Sequence, residues 1–296
     1  MAANRQLKLP RVEIGILGGT GLYEIEGVKG LKEFKLKTPF GDSSDAYIIG
    51  TLEGKRVAFL SRHGRGHRHL PCGINYRANV YGFKMLGVER VISVNSCGSL
   101  REGIGPRDIV FSDQFFDRTR RECTFFGQGI AAHISFAQPV CTELSRFLYA
   151  TAKELDIRAH LGGTYICIEG PAFSSKAESK IYRSWGCDVI GMTAATEAKL
   201  CREAEICYST LNLATDYDVW HAEEKSVSVE LILENLRLNI HSAKAIIKKA
   251  VANLPPHVEG LCDCRQALKK CIVTDPRLIP PATKRKLHLI IKKYVK

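Results

Sequence analysis

The sequence predicts an α/β protein in which the buried strands of a largely parallel sheet alternate with amphipathic helices. Three short apolar runs, at residues 12–17, 90–94 and 206–213, each end in glycine or small polar residues, as buried parallel strands do. Residues 75–86 and 142–155, which lie between these runs, place apolar side chains on one face at helical spacing. This alternation is typical of a sheet that is covered by helices.

The other strands are predicted from short runs of β-forming residues that end in glycine or polar residues. A hairpin is expected around the turn at Glu53, Gly54 and Lys55, with strands at residues 46–50 and 56–60. Further strands are expected at residues 108–113, 163–168 and 187–191.

The remaining helices are predicted from caps and apolar spacing. Ser175 and Glu178 match a capping box that begins a helix ending near Trp185. Further helices are expected at residues 197–204, 227–254 and 283–295. The sequence contains no internal repeat and no sign of a second domain, so we expect one domain over residues 1–296, with residues 256–296 as its C-terminal helical extension.

Composition and charge exclude several classes of function. The chain carries a formal net charge of +12, and its tail beyond residue 264 is strongly basic. No basic platform with regularly interleaved aromatic side chains is present, so we expect a solvated basic face suited to anionic substrates and no binding of nucleic acid. No run of eighteen apolar residues and no apolar leader segment is present, which predicts a cytoplasmic protein without membrane contact.

The 11 cysteines predict buried, mostly reduced thiols rather than a disulfide framework. Cys262 and Cys264 are the one close pair. A structural zinc site needs four ligands, and only Cys271 and His257 lie near this pair in the sequence. We therefore expect no metal site.

A glycine-rich turn follows the first predicted strand. Gly18, Gly19 and Gly21 allow the backbone to approach an anion closely, and Thr20 adds a hydroxyl donor. The same turn also suits a dinucleotide. No acidic residue stands about twenty positions further on at the end of a second strand, as a dinucleotide site requires.

Cations follow the strand predicted at residues 56–60. The planar guanidinium of Arg62 offers two parallel donors to a phosphate, and His63 adds a third. The alternative is that Arg62 pairs with a carboxylate. Residues 62–69 are rich in cations and glycine, so they could form a flap that steers an anion inward.

Asp216 and Asp218 follow the apolar run at residues 206–213. Ligands bind at the carboxyl ends of strands in α/β sheets, and residues two apart on an extended segment point the same way. Both carboxylates could therefore face one small molecule. The alternative is a solvated loop acid and a helix N-cap.

An ordered set of segments resembles the methylthioadenosine phosphorylase branch of the trimeric purine nucleoside phosphorylases. The matching segments are residues 15–22, 61–65, 97–102, 113–119, 168–179, 189–193 and 214–220. They span about residues 12–250. The resemblance implies a three-layer α/β/α single domain with a central mixed sheet, assembled as a homotrimer or a dimer of trimers.

The resemblance also assigns roles to residues. The positions implied to bind phosphate are Thr20, Arg62, His63, Asn95, Ser96 and Thr193. The positions implied to contact the nucleoside are Ile168, Phe173, Met192, Val229, Ile232 and, from a neighbouring subunit, His133. Relatives often have Thr where Asn95 stands, so its side chain departs from the family pattern.

The implied reaction is phosphorolysis of S-methyl-5'-thioadenosine to adenine and 5-methylthioribose 1-phosphate, which serves purine salvage. Asp216 would protonate N7 of the leaving base, and ionised Asp218 would accept a hydrogen bond from the 6-amino group. Phosphate is a co-substrate, and no cofactor is expected. Two alternatives stay open: a broader purine nucleoside phosphorylase acting on adenosine, inosine or methylthioinosine, and a non-catalytic module that binds a dinucleotide.

Overall fold

A mixed sheet with helices on both faces forms the centre of the molecule. The computed structural model describes residues 9–19, 22, 25–127, 129–221, 229–256 and 260–295, with side chains of the helix beginning at residue 229 described from residue 234. The strands in this part are β1 (Ile14–Gly18), β2 (Lys29–Phe34), β3 (Lys37–Thr38), β4 (Gly41–Asp42), β5 (Tyr47–Leu52), β6 (Lys55–Ser61), β7 (Arg90–Ser99), β8 (Ile109–Phe111), β9 (Gln114–Asp117), β10 (Ala159–Leu161), β11 (Thr164–Cys167), β12 (Val189–Gly191) and β13 (Cys207–Asp216). The α-helices are α1 (Tyr76–Met85), α2 (Thr142–Lys153), α3 (Lys176–Ser184), α4 (Ala194–Glu203), α5 (Val229–Asn253) and α6 (Pro281–Ile291). Two 3-10 turns, Pro71–Gly73 and Cys264–Gln266, complete the described elements.

Within the described residues the sheet has eleven strands, and its main path runs in the order β10-β8-β13-β7-β1-β6-β5-β2. The four central strands β13, β7, β1 and β6 are parallel to one another. Strand β7 is long enough to pair twice, because its last residues also pair antiparallel with β12. Strand β12 in turn carries β11 and β9. The ends of β7, β12 and β13 therefore meet at one edge.

Alternate residues of β6 divide the core into two halves. Ala58 and Leu60 pack in a cluster with apolar side chains of α1, α4 and α6. Val57 and Phe59 pack on the opposite face with α2 and α5. Because successive strand residues point to opposite faces, this division confirms the predicted three-layer α/β/α arrangement with a central mixed sheet.

The predicted helices and strands agree best with the structure where the local sequence signal, such as a capping box, is strong. The capping box is present: the Ser175 hydroxyl accepts from the Glu178 backbone N–H at 3.2 Å, and the Glu178 carboxylate accepts from the Ser175 N–H at 2.8 Å. Strand β7 continues to Ser99, five residues beyond the predicted end. Helix α4 begins three residues before the predicted start at residue 197.

Strand β2 was missed by the sequence analysis. It lies at the edge of the sheet beside β5, and five of its six residues are exposed. An exposed edge strand has no buried face, so its sequence lacks the alternation of apolar and polar residues that would have revealed it.

The C-terminal segment packs into the same core as the sheet. Leu268, Ile279, Leu287 and Ile290 are buried in the cluster that contains Leu60. Basic side chains of this segment lie at the surface, where Lys293 pairs with Glu205 at 2.8 Å. None of the described helices is both long and apolar enough to span a membrane.

Candidate active site

A cavity of about 420 Å³ opens where the ends of β7, β12 and β13 meet. Its lining brings together ten of the residues singled out in the sequence: Arg62, His63, Asn95, Ser96, Ile168, Phe173, Met192, Thr193, Asp216 and Asp218. The two that are farthest apart in the sequence, Arg62 and Asp218, are separated by 156 positions. The cavity therefore joins the group implied to bind phosphate to the group implied to bind the nucleoside.

Asp216 is aimed into the cavity by an irregularity at the end of β13. Ala214 lies opposite Cys97 and Asp216 lies opposite Gly98, so Thr215 is an extra residue without a partner in the register. Such a bulge re-aims the side chains that follow it. The Asp216 carboxylate accepts from the Thr215 hydroxyl at 2.6 Å and from the Asp218 backbone N–H at 2.8 Å, and both contacts stabilise its ionised form.

Asp218 faces the same cavity for a reason that differs from the prediction. We expected an extended segment, but Asp216 ends the strand and Asp218 adopts a left-handed backbone with φ of 50°. The tight turn closed by the bond from the Asp218 N–H to Asp216 brings the two carboxyl groups together. Burial, together with the charge of Asp216, raises the pKa of Asp218. Among the described residues, its Oδ2 atom has no hydrogen-bond partner.

Gly98 makes room for the two carboxyl groups. A Cβ atom at this position would stand 3.1 Å from Oδ1 of Asp216 and 3.3 Å from Cβ of Asp218. Both distances are closer than ordinary van der Waals contact, so any larger residue would move the carboxyl groups. The glycine in the segment 97–102 thus has a steric role in the site.

Arg62 is bound by a carboxylate, which was the alternative left open in the sequence analysis. Its Nε and Nη2 atoms donate to Glu197 of α4, and both side chains are almost completely buried. Nη2 also donates to the Ser93 hydroxyl at 2.7 Å, and Nη1 donates to the Val94 carbonyl at 2.9 Å. These bonds use four of the five guanidinium hydrogens. One Nη1 hydrogen is left for a ligand, so the role of Arg62 in phosphate binding stays a prediction.

Glu197 is a site residue that was not predicted from the sequence. Its carboxylate also accepts from the Ser93 hydroxyl at 2.7 Å and from the Tyr208 hydroxyl at 3.0 Å. One signal could have revealed it, because an acidic residue among the small apolar residues of α4 needs a buried cation as a partner.

His63 enters the cavity as a neutral side chain. Burial, together with the charge of Arg62, lowers the pKa of His63 to about 4. Its Nδ1 atom lies 2.8 Å from the carbonyl oxygen of His69 and must carry the proton, which leaves Nε2 as an acceptor. The ring stacks on His67 with 4.1 Å between centroids. His63 can therefore act as a donor to phosphate only if it takes up a proton.

Asn95 is held inside a chain of polar side chains. Its amide donates to the Thr210 hydroxyl at 2.6 Å, and its carbonyl oxygen accepts from the Thr193 hydroxyl at 2.8 Å. The Asn95 side chain thus fixes Thr193, whereas Ser96 on the next position is exposed to the cavity. The arrangement favours a positioning role for Asn95.

The apolar side of the cavity is made by Ile168, Phe173 and Met192. Phe173 is 63% exposed and stands at the rim. Met192 packs over Gly170, where a Cβ atom would approach its sulfur to 2.6 Å. Arg121, another residue that the sequence analysis missed, donates to the carbonyls of Met192 and Glu169 and so fastens the two segments to each other.

Four of the predicted site residues are not placed in this cavity. Thr20 lies outside the described residues, and so do the side chains of Val229 and Ile232 in the first turn of α5. His133 is exposed, and its backbone N–H donates to the Cys271 carbonyl at 2.9 Å. It is absent from the lining of the cavity in its own chain, as far as the described residues show.

Away from the cavity, four cysteine side chains converge. Cys141, Cys207, Cys262 and Cys264 have their sulfur atoms within 4.8 Å of one another. The candidate ligands weighed from the sequence were only those close in the chain to Cys262, so Cys141 and Cys207 were left out. The expectation that there is no metal site stays a prediction.

The three-layer fold and this cavity together place the protein in the class of α/β proteins of the nucleoside phosphorylase type. A model of the Phosphorylase superfamily matches residues 13–252. The S-methyl-5'-thioadenosine phosphorylase of Geobacter sulfurreducens is 54% identical over 284 residues, which cover 95% of this chain and 99% of that protein. The chain therefore belongs to the Phosphorylase superfamily.

Solved structures agree with this placement. A methylthioadenosine phosphorylase from an antarctic soil metagenomic library has 42% sequence identity and a TM-score of 0.88, with 95% of this chain and 99% of the other covered. The methylthioadenosine phosphorylase of Schistosoma mansoni in complex with adenine has 31% identity and a TM-score of 0.84, with 88% and 99% covered.

Replacement of Gly98 by Ala tests the steric role of this glycine. The added methyl group requires Ile190, Asp216 or Asp218 to move by a few tenths of an ångström, and a misplacement of about 1 Å can cost about a hundredfold in rate. We expect kcat/KM to fall about threefold to tenfold in Gly98→Ala, measured by steady-state kinetics with the substrate proposed below.

Gly103→Ala is the matched control, because no atom lies within 4 Å of the Cβ position at Gly103. Its kcat/KM should equal that of the wild type. Equal rates for both variants would show that Gly98 does not set the position of the carboxyl groups.

Proposed function

We propose that the protein catalyses phosphorolysis of S-methyl-5'-thioadenosine to adenine and 5-methylthioribose 1-phosphate. The observation that carries the proposal is the buried carboxyl pair, Asp216 and Asp218, in a cavity whose lining also contains Arg62 and His63. The relatives are named methylthioadenosine phosphorylases, and one of them was solved in complex with adenine. Both facts support the same reaction.

The carboxyl pair supports recognition of a 6-aminopurine. Its oxygens are acceptors in a buried setting, and the 6-amino group is a donor. A 6-oxopurine would turn its own acceptor toward an ionised oxygen of the pair. An unsatisfied buried polar group costs about 1–3 kcal/mol, and more when it is charged. Adenine nucleosides are therefore favoured over inosine.

The leaving purine needs a proton at N7, and we propose that the pair holds one proton for this purpose. Two adjacent carboxyl groups titrate as a unit. The sequence analysis placed the proton on Asp216. The hydrogen bonds at Asp216 favour its ionised form, whereas the pKa of Asp218 is raised by burial and by the charge of Asp216. These contacts support Asp218 as the proton donor and Asp216 as the acceptor for the 6-amino group.

Phosphate is proposed to bind beside His63, Ser96 and the remaining Nη1 hydrogen of Arg62. The charge of Arg62 is largely balanced by Glu197, so the pair supplies less net attraction than a bare guanidinium. A protonated oxygen of phosphate can donate to Nε2 of neutral His63. Phosphate held beneath the anomeric carbon removes much of the entropic barrier, and its charge stabilises the cationic sugar in the transition state.

A homotrimer, or a dimer of trimers, is proposed in which His133 contributes to the site of a neighbouring chain. His133 is exposed and is absent from the described lining of its own cavity, which fits such a role. Phe116 and Trp185 form an edge-to-face ring pair and are 45% and 55% exposed. Large exposed apolar side chains of this kind mark contact surfaces.

Base release with and without phosphate tests the proposed reaction. We expect adenine from methylthioadenosine only when phosphate is present, at a higher kcat/KM than from adenosine, and little hypoxanthine from inosine. Chromatography of the base and of the sugar phosphate measures both products. Adenine release without phosphate would indicate a hydrolase, and hypoxanthine as the main product would indicate a 6-oxopurine enzyme.

The pH dependence of kcat tests which carboxyl group donates the proton. In the wild type, kcat should fall at alkaline pH as the pair loses its shared proton. Asp218→Asn should lower kcat on methylthioadenosine about a hundredfold or more and abolish the alkaline decline, because the general acid is gone. Asp216→Asn should weaken binding of adenine nucleosides and keep the decline.

The reverse pattern, with the alkaline decline lost in Asp216→Asn and kept in Asp218→Asn, would assign the proton to Asp216. Circular dichroism of both variants serves as the control for folding.

Mixed trimers test the contribution of His133. His133→Ala and Asp216→Asn should each retain less than about a tenth of the activity, because each removes a group that touches the ligand. The His133→Ala chain keeps Asp216, and the Asp216→Asn chain keeps His133. A site is intact only where the first kind of chain has the second kind as the neighbour that supplies His133. Equal mixing of the two chains before assembly should therefore restore about a quarter of the sites. No recovery after verified mixing would contradict a shared site.

A further inference from the structure

Four cysteine side chains meet at a point that is separate from the cavity. Cys141 immediately precedes α2, Cys207 begins β13, and Cys262 and Cys264 lie in the segment that follows α5. Cys141, Cys207 and Cys264 are at most 4% exposed. The fold thus brings three distant parts of the chain together through thiols.

The spacing of the sulfur atoms fits a single tetrahedral metal ion. Four thiolates at about 2.3 Å from zinc stand about 3.8 Å from one another. The Cys207 and Cys262 sulfurs are 3.6 Å apart, and all four lie within 4.8 Å. A disulfide would need about 2.05 Å between two of them. The four sulfurs therefore surround a space of the size of one ion.

The surroundings of the four sulfurs supply positive charge and N–H donors. Zinc with four thiolates carries a charge of −2, and Nη1 of Arg202 lies 3.6 Å from the Cys264 sulfur. Arg202 is itself oriented by a bond to the Gln138 carbonyl. Cys141 stands at the N-cap of α2, where the helix dipole favours a thiolate.

An ion can reach the sulfurs from solvent. A cleft of about 700 Å³ is lined by Cys141, Cys262 and Cys264. Side chains of both charge signs line the same cleft, namely Glu143, Asp263, Arg146, Arg202 and Lys269. The cleft therefore gives access to the sulfurs without a net negative charge.

We propose that Cys141, Cys207, Cys262 and Cys264 form a structural tetrathiolate site for zinc. Zinc is the ion that this ligand set and a closed tetrahedral geometry favour. Four thiols release four protons to solvent as one Zn²⁺ binds, and no electron is transferred. The ion would fasten the segment 260–295 to α2 and to the first residue of β13.

The proposed site has no part in the reaction. Asp216 stands at the opposite end of β13, nine residues from Cys207, which is about 30 Å along an extended strand. Loss of the ion should therefore affect stability first. This separation allows the proposal to fail or succeed independently of the proposed phosphorolysis.

Metal analysis of the purified chain tests the site. Protein produced with zinc in the medium and purified under reducing conditions should contain about one zinc per chain by mass spectrometry of the metal. The double variant Cys262→Ser/Cys264→Ser should contain almost none, and Cys271→Ser, a cysteine outside the cluster, should keep the full amount. A chelator should lower the melting temperature of the wild type and of Cys271→Ser but not that of the double variant.

Cobalt replacement gives a readout that does not depend on variants. Wild-type protein reconstituted with Co²⁺ should show the intense visible absorption and the near-ultraviolet sulfur-to-metal band of a tetrahedral thiolate site. Less than about one zinc in ten chains together with no such spectrum would overturn the proposal. Peptide mapping that finds disulfides among the four cysteines of the freshly reduced and zinc-incubated protein would also overturn it.

Discussion

The buried ion pair between Arg62 and Glu197 holds together the elements that surround the cavity. Arg62 follows β6, and Glu197 belongs to α4. Ser93 of β7 and Tyr208 of β13 donate to the same carboxylate. Loss of one partner leaves the other charge buried and costs about 3–5 kcal/mol. The relative position of three central strands and one helix, and hence the shape of the cavity, depends on this pair.

The features that the sequence predicted are those with a local signal. Strand β13 is recognisable because an apolar run ends in two carboxylates, and α3 because Ser175 and Glu178 occupy the two positions of a capping box. The three-layer fold follows from the alternation of strands and helices together with the resemblance to a family. Signals of this kind are contained in fewer than about twenty consecutive residues.

The features that the sequence did not predict depend on which strand ends meet in space. Glu197 is hydrogen-bonded to Arg62, which lies 135 positions away in the sequence, and Asn95 to Thr193, which lies 98 positions away. No sequence pattern near Arg62 indicates that Glu197, Ser93 and Val94 occupy four of its five donor hydrogens. The neutral state of His63 is hidden for the same reason, because it results from burial and from the charge of Arg62. The four cysteines also lie far apart in the chain, so their proximity results from the fold and could not be predicted from spacing.

The left-handed backbone at Asp218 restricts the changes that this position can undergo in evolution. Apart from glycine, asparagine and aspartate are the residues that adopt such a conformation most readily. An asparagine amide has no proton that it can release, so it cannot replace the acid proposed at this position. One base change separates the codons of the two residues. A descendant of this gene can therefore lose the proton donor without disturbing the turn, whereas almost any other replacement would strain the backbone.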